Sequence, residues 1–502
     1  MSIVVIGFWR SNYLSSIKFK AIQGSVWVGI STISNQALNF LTTLLLAKLL
    51  LPADFGLIAI ANLTVNTLSL FRNFGLSDAV IYHQGERNRL ASTAFLLITT
   101  FGVIQYLVAY ITAPFIALFF GNDEVINLIR FMALSLPISS VGLVPFTLLD
   151  KELDFRLGTV PKIVPTFVYT VTVIILVLAG VGVWSIAIGS VIQAIVFVII
   201  SWVVSDWRLT FNFDRKIGYE MLLYGKDLVG TSILAFCFVN IDNIFIGRIL
   251  NTENLGFYTF AFSLINVPTM QIPALINTVL FPAYVKIGNN LESMQKAYLR
   301  ITKIISSTTI PISLGLAAIA QPFVITIYGE KWKQSIILIQ ILSVYALARS
   351  ISAIFGIIVR AIGKQHIMPR MTFGYVATAA LLLAPSIYWG GTIGVSILMS
   401  TILLIGMFGW MLIINHYLSI STINFLKVII PSLISGLFMF AVVWICSQFI
   451  TSSIVGVFVL VVVGCLTYIL ILLKLTQGDI YLEFLDIVRH SRPLPGEVSH
   501  GK

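Results

Sequence analysis

Two arginines, Arg72 and Arg349, lie near the middle of long apolar stretches. A guanidinium keeps its charge and grips phosphate with two parallel hydrogen bonds. Placing one at the centre of a membrane-spanning helix costs roughly 2.5–3.5 kcal/mol, so such residues face an interior or water. The pair therefore suggests an anionic ligand; a salt bridge between two halves of the protein is the structural alternative. Asn62, Asn66, Ser69 and Asn73 run beside Arg72 on one helical face. Tyr345, Ser352 and Gly356 share the face of Arg349. Arg130 sits nearer the end of its stretch, where it could join these residues or reach the interface.

Other polar stripes run through apolar segments: Ser31, Asn35, Asn39 and Thr42; Asn266, Pro273 and Asn277; and Asn240, Asp242 and Asn243. Either they line a cavity or they hydrogen-bond one helix to another. Asp242 is the one carboxylate placed well inside a span. It could bind Na⁺ or a proton, or pair with an intramembrane arginine.

The elements holding these residues follow from composition. Hydrophobic residues are 58% of 502 and charged residues 10%, with a mean hydropathy of +0.99. A globular domain carries about 25% charged residues, and a spanning helix needs roughly 20 apolar ones. Spans are predicted at 21–47, 57–82, 90–113, 125–149, 160–179, 183–204, 227–250, 256–281, 300–320, 335–361, 370–389, 392–415, 427–449 and 454–473. The expected fold is an all-α polytopic membrane protein with about fourteen transmembrane helices. Prolines 268 and 273 should bend the eighth span. The 282–299 link should carry a separate amphipathic helix.

The net charge of +11 invites a nucleic-acid reading. With the N-terminus in the cytoplasm, however, 24 of the 31 basic residues, Lys162 among them, fall on cytoplasmic segments. That is the positive-inside bias, so the charge reflects topology, with both termini cytoplasmic, and no nucleic-acid partner is expected. Trp27, Trp202, Trp207, Trp332, Trp389 and Trp444 fall near span ends and read as interfacial anchors. Cys237, Cys446 and Cys465 read as packing residues. No Walker loop, dinucleotide fingerprint, HExxH or GxSxG occurs, so no enzyme and no cofactor are expected.

The second six spans repeat the first six. AKLLLPADFGL (47–57) aligns with GRILNTENLGF (247–257), pairing Lys48 with Arg248 and Gly56 with Gly256. PFIALFFG (114–121) aligns with PFVITIYG (322–329), and LIRFMALSLPISS (128–140) with LIQILSVYALARS (338–350). Six spans per repeat is an even number, so both halves enter the membrane in the same sense, as in parallel-repeat transporters. The predicted organisation is a segment 1–20, lobes 21–217 and 218–416 around a central cavity, two extra helices within 417–474, and a tail 475–502.

LAKLLLPADFG (46–56), FRNFGLSDAVI (71–81) and NIDNIFIGRIL with LGFYTFAFSL (240–264) carry a resemblance. The chain resembles the polysaccharide transporter family of the multidrug/oligosaccharidyl-lipid/polysaccharide exporter superfamily, most of all its Wzx-type flippases of the colanic-acid-exporter kind. The resemblance implies a bacterial inner-membrane flippase that moves undecaprenyl-diphosphate-linked oligosaccharide by alternating access, with ion antiport as driver. It implies cavity cations that engage the diphosphate, here Arg72 and Arg349, and a coupling or architectural role for Asp242. A polysaccharide polymerase and a chain-length regulator would be its protein partners, and membrane lipids its surroundings. A drug antiporter of the same superfamily would favour cavity carboxylates over arginines. A polytopic polymerase or glycosyltransferase would need a sizeable outer loop, which the spacing does not provide. A non-catalytic scaffold would use the polar stripes for packing alone.

Overall fold

The computed structural model describes residues 27, 29, 31–73, 80, 86–151, 155–210, 212–287, 290–450 and 453–477, excluding the side chains at 71–73, 155–156, 224–229, 231, 271–272 and 274–287. The regular elements among them are helices. In chain order these are α1 (31–49), α2 (Pro52–Asn73), α3 (Arg87–Phe120), α4 (Glu124–Met132), α5 (Ser135–Lys151), α6 (Phe155–Leu178) and α7 (Trp184–Val204). They continue as α8 (Arg215–Ile249), α9 (Thr252–Ile287), α10 (Leu291–Tyr328), α11 (Ser335–Ala361), α12 (Ile367–Tyr417), α13 (Thr422–Phe449) and α14 (Ile454–Thr476). Eleven helical stretches among the described residues are long and apolar enough to cross a bilayer. Large apolar side chains such as Leu118, Val203, Leu381, Phe449 and Phe458 are exposed. A water-soluble surface does not tolerate so continuous an apolar skin. The chain is an all-α, multi-pass membrane protein. The 1–20 segment and nearly all of the 475–502 tail lie outside the described residues.

Backbone chemistry decides where the spans break. α12 runs formally for 51 residues, but Gly390 and Gly391 leave helical geometry, and Gly391 has φ 56°. A side chain on Gly394 would collide with the Ser386 carbonyl. Residues eight apart in a straight helix cannot meet, since each residue adds about 1.5 Å of rise. The chain therefore reverses, and α12 is two spans meeting at 390–391. Gly180 and Gly182, also at positive φ, make the matching turn between α6 and α7.

One expectation needs refinement and one needs correction. The span predicted at 125–149 is one stretch long and apolar enough to cross the bilayer, Glu124–Lys151, kinked at Ala133–Leu134 into α4 and α5. Pro137 donates no N–H and crowds the carbonyl four residues back, at Ala133, so the helix must restart there. The separate helix expected at 282–299 is absent: α10 begins at Leu291 and continues without interruption to Tyr328. Asn290 caps it, accepting from the Ser293 N–H at 3.0 Å.

The residues cluster into two compact units. One contains the described residues of Met1–Val267 and Gln365–Ile402; the other contains those of Pro268–Lys364 and Leu403–Lys502. The first boundary cuts α9 at Pro268, although the helix continues through Pro268 and Pro273.

Within the first unit, the sequence repeat reappears as a contact. α2 and α9 cross with their backbones touching. A methyl on Gly56 would lie 2.6 Å from the Thr252 carbonyl carbon, and one on Gly256 the same distance from that of Pro52. Positions 52 and 56 thus meet 252 and 256 reciprocally, as a local two-fold axis would require. The helix starts are capped in related ways. Asp54 Oδ2 accepts from the Leu51 N–H at 2.9 Å, and Asn251 Oδ1 from the Asn254 N–H at 2.8 Å. The element pattern also recurs: α3 contains Pro114 and stops at Gly121, while α10 contains Pro322 and stops at Gly329.

The same unit has a core of Leu90, Phe95, Ile98, Val144, Trp207 and Met221. Trp207 is 2% exposed, and Trp332 of the second unit is fully buried. Both were expected as interfacial anchors, but packing claims them instead. Trp202 donates its indole N–H to the Val141 carbonyl at 3.0 Å, whereas Trp389 and Trp444 are exposed as anchors would be. In the second unit α13 and α14 pack on α10 through Met439, Val443, Leu460 and Ala318. Tyr468 Oη donates to the Ser307 carbonyl at 2.8 Å.

Candidate functional site

The polar stripe of α2 opens on a cavity of about 400 Å³ inside the first unit. Five helices wall it. α2 contributes Asn62, Asn66 and Ser69; the α4–α5 break contributes Met132, Ser135 and Ser139; α6 contributes Pro161, Lys162 and Pro165; and α7 contributes Ser190, Gln193 and Phe197. Each contribution has a local cause. The α2 residues fall one turn apart, so they share a face. The restart at Ser135 brings two serines to the wall. Pro165 has no N–H, so the Pro161 carbonyl beside the cavity receives no bond from it.

The serine hydroxyl protons are committed to their own helices. Ser135 donates to Met132 O at 2.7 Å and Ser190 to Ala187 O at 2.8 Å. Their lone pairs remain to accept from a ligand. Gln193 Nε2 lies 3.4 Å from Thr166 Oγ1. Asn62 and Asn66 are exposed to the cavity. The cation on its described wall is Lys162. Its Nζ is 3.5 Å from Asp150 Oδ1, with both side chains about 30% exposed, and 5.0 Å from the Phe146 ring centroid. The distribution of basic residues along the chain assigns Lys162 to a cytoplasmic segment; the structure places it on the cavity wall. Only its position two residues into a predicted span hints at this.

The remaining candidates are dispersed. Arg72 and Asn73 belong to the last turn of α2 and Asn277 to α9, with side chains outside the described residues. Asn35 of α1 is half-buried, and its Oδ1 has no partner among the described residues; Asn39 is exposed. Arg130 is not on the cavity wall. It lies in the last turn of α4 and reaches α3, with its guanidinium 4.1 Å from the Tyr110 ring centroid and Nε 3.4 Å from the Tyr110 carbonyl. That is anchoring geometry.

Asp242 is 2% exposed. Its Oδ2 accepts from Tyr258 Oη at 2.6 Å, which ties α8 to α9, and its Oδ1 accepts from the Asn243 N–H at 2.8 Å. The Asn240 amide donates to Phe236 O at 3.0 Å, and the Asn243 side-chain oxygen is buried without a partner among the described residues. In the second unit Arg349 is half-buried, with Nη1 3.4 Å from Tyr345 Oη. Among the described residues no group of His, Cys, Asp and Glu is arranged to hold a metal.

The fold is a set of long apolar helices, with a partly open hydrogen-bonding cavity in its first unit. Known structures share it. MurJ, a lipid II flippase in an inward closed conformation, aligns over 91% of this chain and 99% of its own, with TM-score 0.73 at 15% identity. An inward-facing multidrug resistance MATE family transporter aligns over 76% and 94%, with TM-score 0.58 at 17% identity. At these identities the likeness concerns fold. The chain belongs to the polysaccharide biosynthesis protein family, whose pattern matches residues 45–337. Among its relatives, the teichuronic acid biosynthesis protein TuaB of Bacillus subtilis is 24% identical over 92% of this chain and 97% of its own. The lipopolysaccharide biosynthesis protein WzxC of Escherichia coli is 24% identical over 75% and 76%.

Proposed function

We propose that the protein is a flippase rather than an enzyme, translocating undecaprenyl-diphosphate-linked oligosaccharide across the bacterial inner membrane with both termini in the cytoplasm. The observation that carries this reading is the polar cavity inside an apolar bundle. A sugar headgroup cannot enter hydrocarbon unaided, because each unsatisfied polar group costs several kcal/mol there. The cavity replaces that lost water with Asn, Ser, Gln and Lys side chains. The family match and the MurJ-like fold support the same reading.

In this proposal the lobes 21–217 and 218–416 rock about the site, with helices 417–474 beside the lipid tail. Asn66 and Lys162 line the path in the first lobe; Arg72, Asn73, Asn35 and Asn39 extend it, and Arg349 and Asn277 serve the second. Asp242, with Asn240 and Asn243, takes part in Na⁺ or H⁺ coupling. The product passes to a polysaccharide polymerase and its chain-length regulator.

The test is export of surface polysaccharide from cells whose own gene has been removed. Arg72→Ala or Arg349→Ala should block export while protein level stays normal. Normal export from both single variants and the double variant would end the anionic-path reading. Asp242→Asn should remove the dependence of transport on an ion gradient, and an unchanged dependence would take Asp242 out of the mechanism.

A further inference from the structure

We infer that the cavity of the first unit is a saccharide subsite, reading the hydroxyls of the first sugar rather than the diphosphate. This rests on the flippase reading and specifies which part of the substrate the cavity holds.

The argument is one of chemistry and charge. A diphosphate needs net positive charge from groups with donors alone. The cation on the described wall, Lys162, has Asp150 at 3.5 Å. The pair sums to zero, and a phosphate drawn to Lys162 would be repelled by Asp150. A sugar hydroxyl carries no charge, so it can accept from Lys162 without meeting that repulsion. The other polar wall groups carry no charge either. Asn62, Asn66 and Gln193 offer an amide donor and acceptor each, and the serines offer lone pairs because their protons are already bound to the helix backbone. Phe197 and two prolines supply apolar surface for the carbon face of a ring. The size also fits. At about 400 Å³ and partly open, the cavity has room for a sugar ring with its substituents. The remaining sugars and the diphosphate would lie outside it.

The experiment uses the full-length protein in lipid nanodiscs and two probes: undecaprenyl diphosphate, and the same lipid carrying one neutral hexose. The parent protein should bind the hexose-bearing lipid about tenfold tighter, the worth of one or two added hydrogen bonds. Asn66→Ala and Gln193→Leu should each erase most of that difference, with the loss confined to the hexose-bearing lipid. Asp150→Asn separates the alternatives, because it frees Lys162 from its counter-charge. A saccharide subsite predicts unchanged binding of the bare lipid and a retained preference for the hexose-bearing one. A diphosphate site predicts several-fold tighter binding of the bare lipid, and that result would overturn the inference. Equal affinity of the parent for both lipids would overturn it too, while leaving the flippase reading intact. Binding of neither lipid by folded protein, shown by an unchanged thermal melt, would end both.

Discussion

Replacing Gly56 by alanine tests the α2–α9 crossing most directly. The new methyl would lie 2.6 Å from the Thr252 carbonyl carbon, and the obstacle is backbone, which cannot rotate aside. Ordinary carbon contacts lie at about 3.5–4.0 Å, and the Thr252 carbonyl oxygen is nearer still than its carbon, so the helices must part by more than about 1 Å. Overpacking of this kind costs about 1–3 kcal/mol. The clash is with rigid backbone, so the upper end applies; alanine recovers up to about 1 kcal/mol through its helix propensity, leaving a net loss of about 2 kcal/mol. Gly256→Ala meets the Pro52 carbonyl carbon at the same 2.6 Å and should cost the same. The double variant provides the sharper test. Once the first methyl has separated the helices, the second fits at little further cost, so the pair should lose well under the sum of the singles, within the range known for contacting residues. Equilibrium unfolding of the purified protein in detergent measures all three. A single variant as stable as the parent, or a strictly additive double, would refute the reciprocal backbone contact.

Three further outcomes are expected. Gln105 is 5% exposed, with neither side-chain polar atom partnered among the described residues; Gln105→Leu should therefore stabilise the protein by about 1–3 kcal/mol in the same unfolding assay, and destabilisation would contradict this. Tyr258→Phe removes the 2.6 Å bond to buried Asp242 and should cost about 1–3 kcal/mol; an unchanged unfolding midpoint would show that the bond contributes nothing. Arg130→Ala should lose about 0.5–1 kcal/mol of stacking on Tyr110 and leave polysaccharide export at the parental level; abolished export at normal protein level would argue against an anchoring role.

Much of the fold is legible along the chain because the bilayer imposes local rules. A span must be apolar over roughly 20 residues, and its backbone must satisfy itself, so composition alone announces the helices. Glycine at a left-handed turn marks Gly180, Gly182 and Gly391, and the break beside Pro137 has an equally local cause. The offset of 200 residues is also written in the sequence, which aligns Gly56 with Gly256 as equivalent positions; that the two meet where α2 and α9 cross is added by the structure.

Charge and aromatic placement are less local. A basic residue near a span end has the same one-dimensional signature whether it meets water at the membrane surface or inside a cavity. Lys162 therefore counts toward topology along the chain, while folding sets it on one cavity wall with Asn66 and Gln193 of other helices. Trp207 and Trp332 likewise occupy belt-like positions but are claimed by the core, because only neighbours remote in sequence determine what a side chain touches. Helix content, membrane class and internal repetition belong to the sequence by itself, since each depends on residues within a few turns of one another. Which polar groups share one cavity, and which cation there keeps a counter-charge beside it, only the packing of five separate helices could decide.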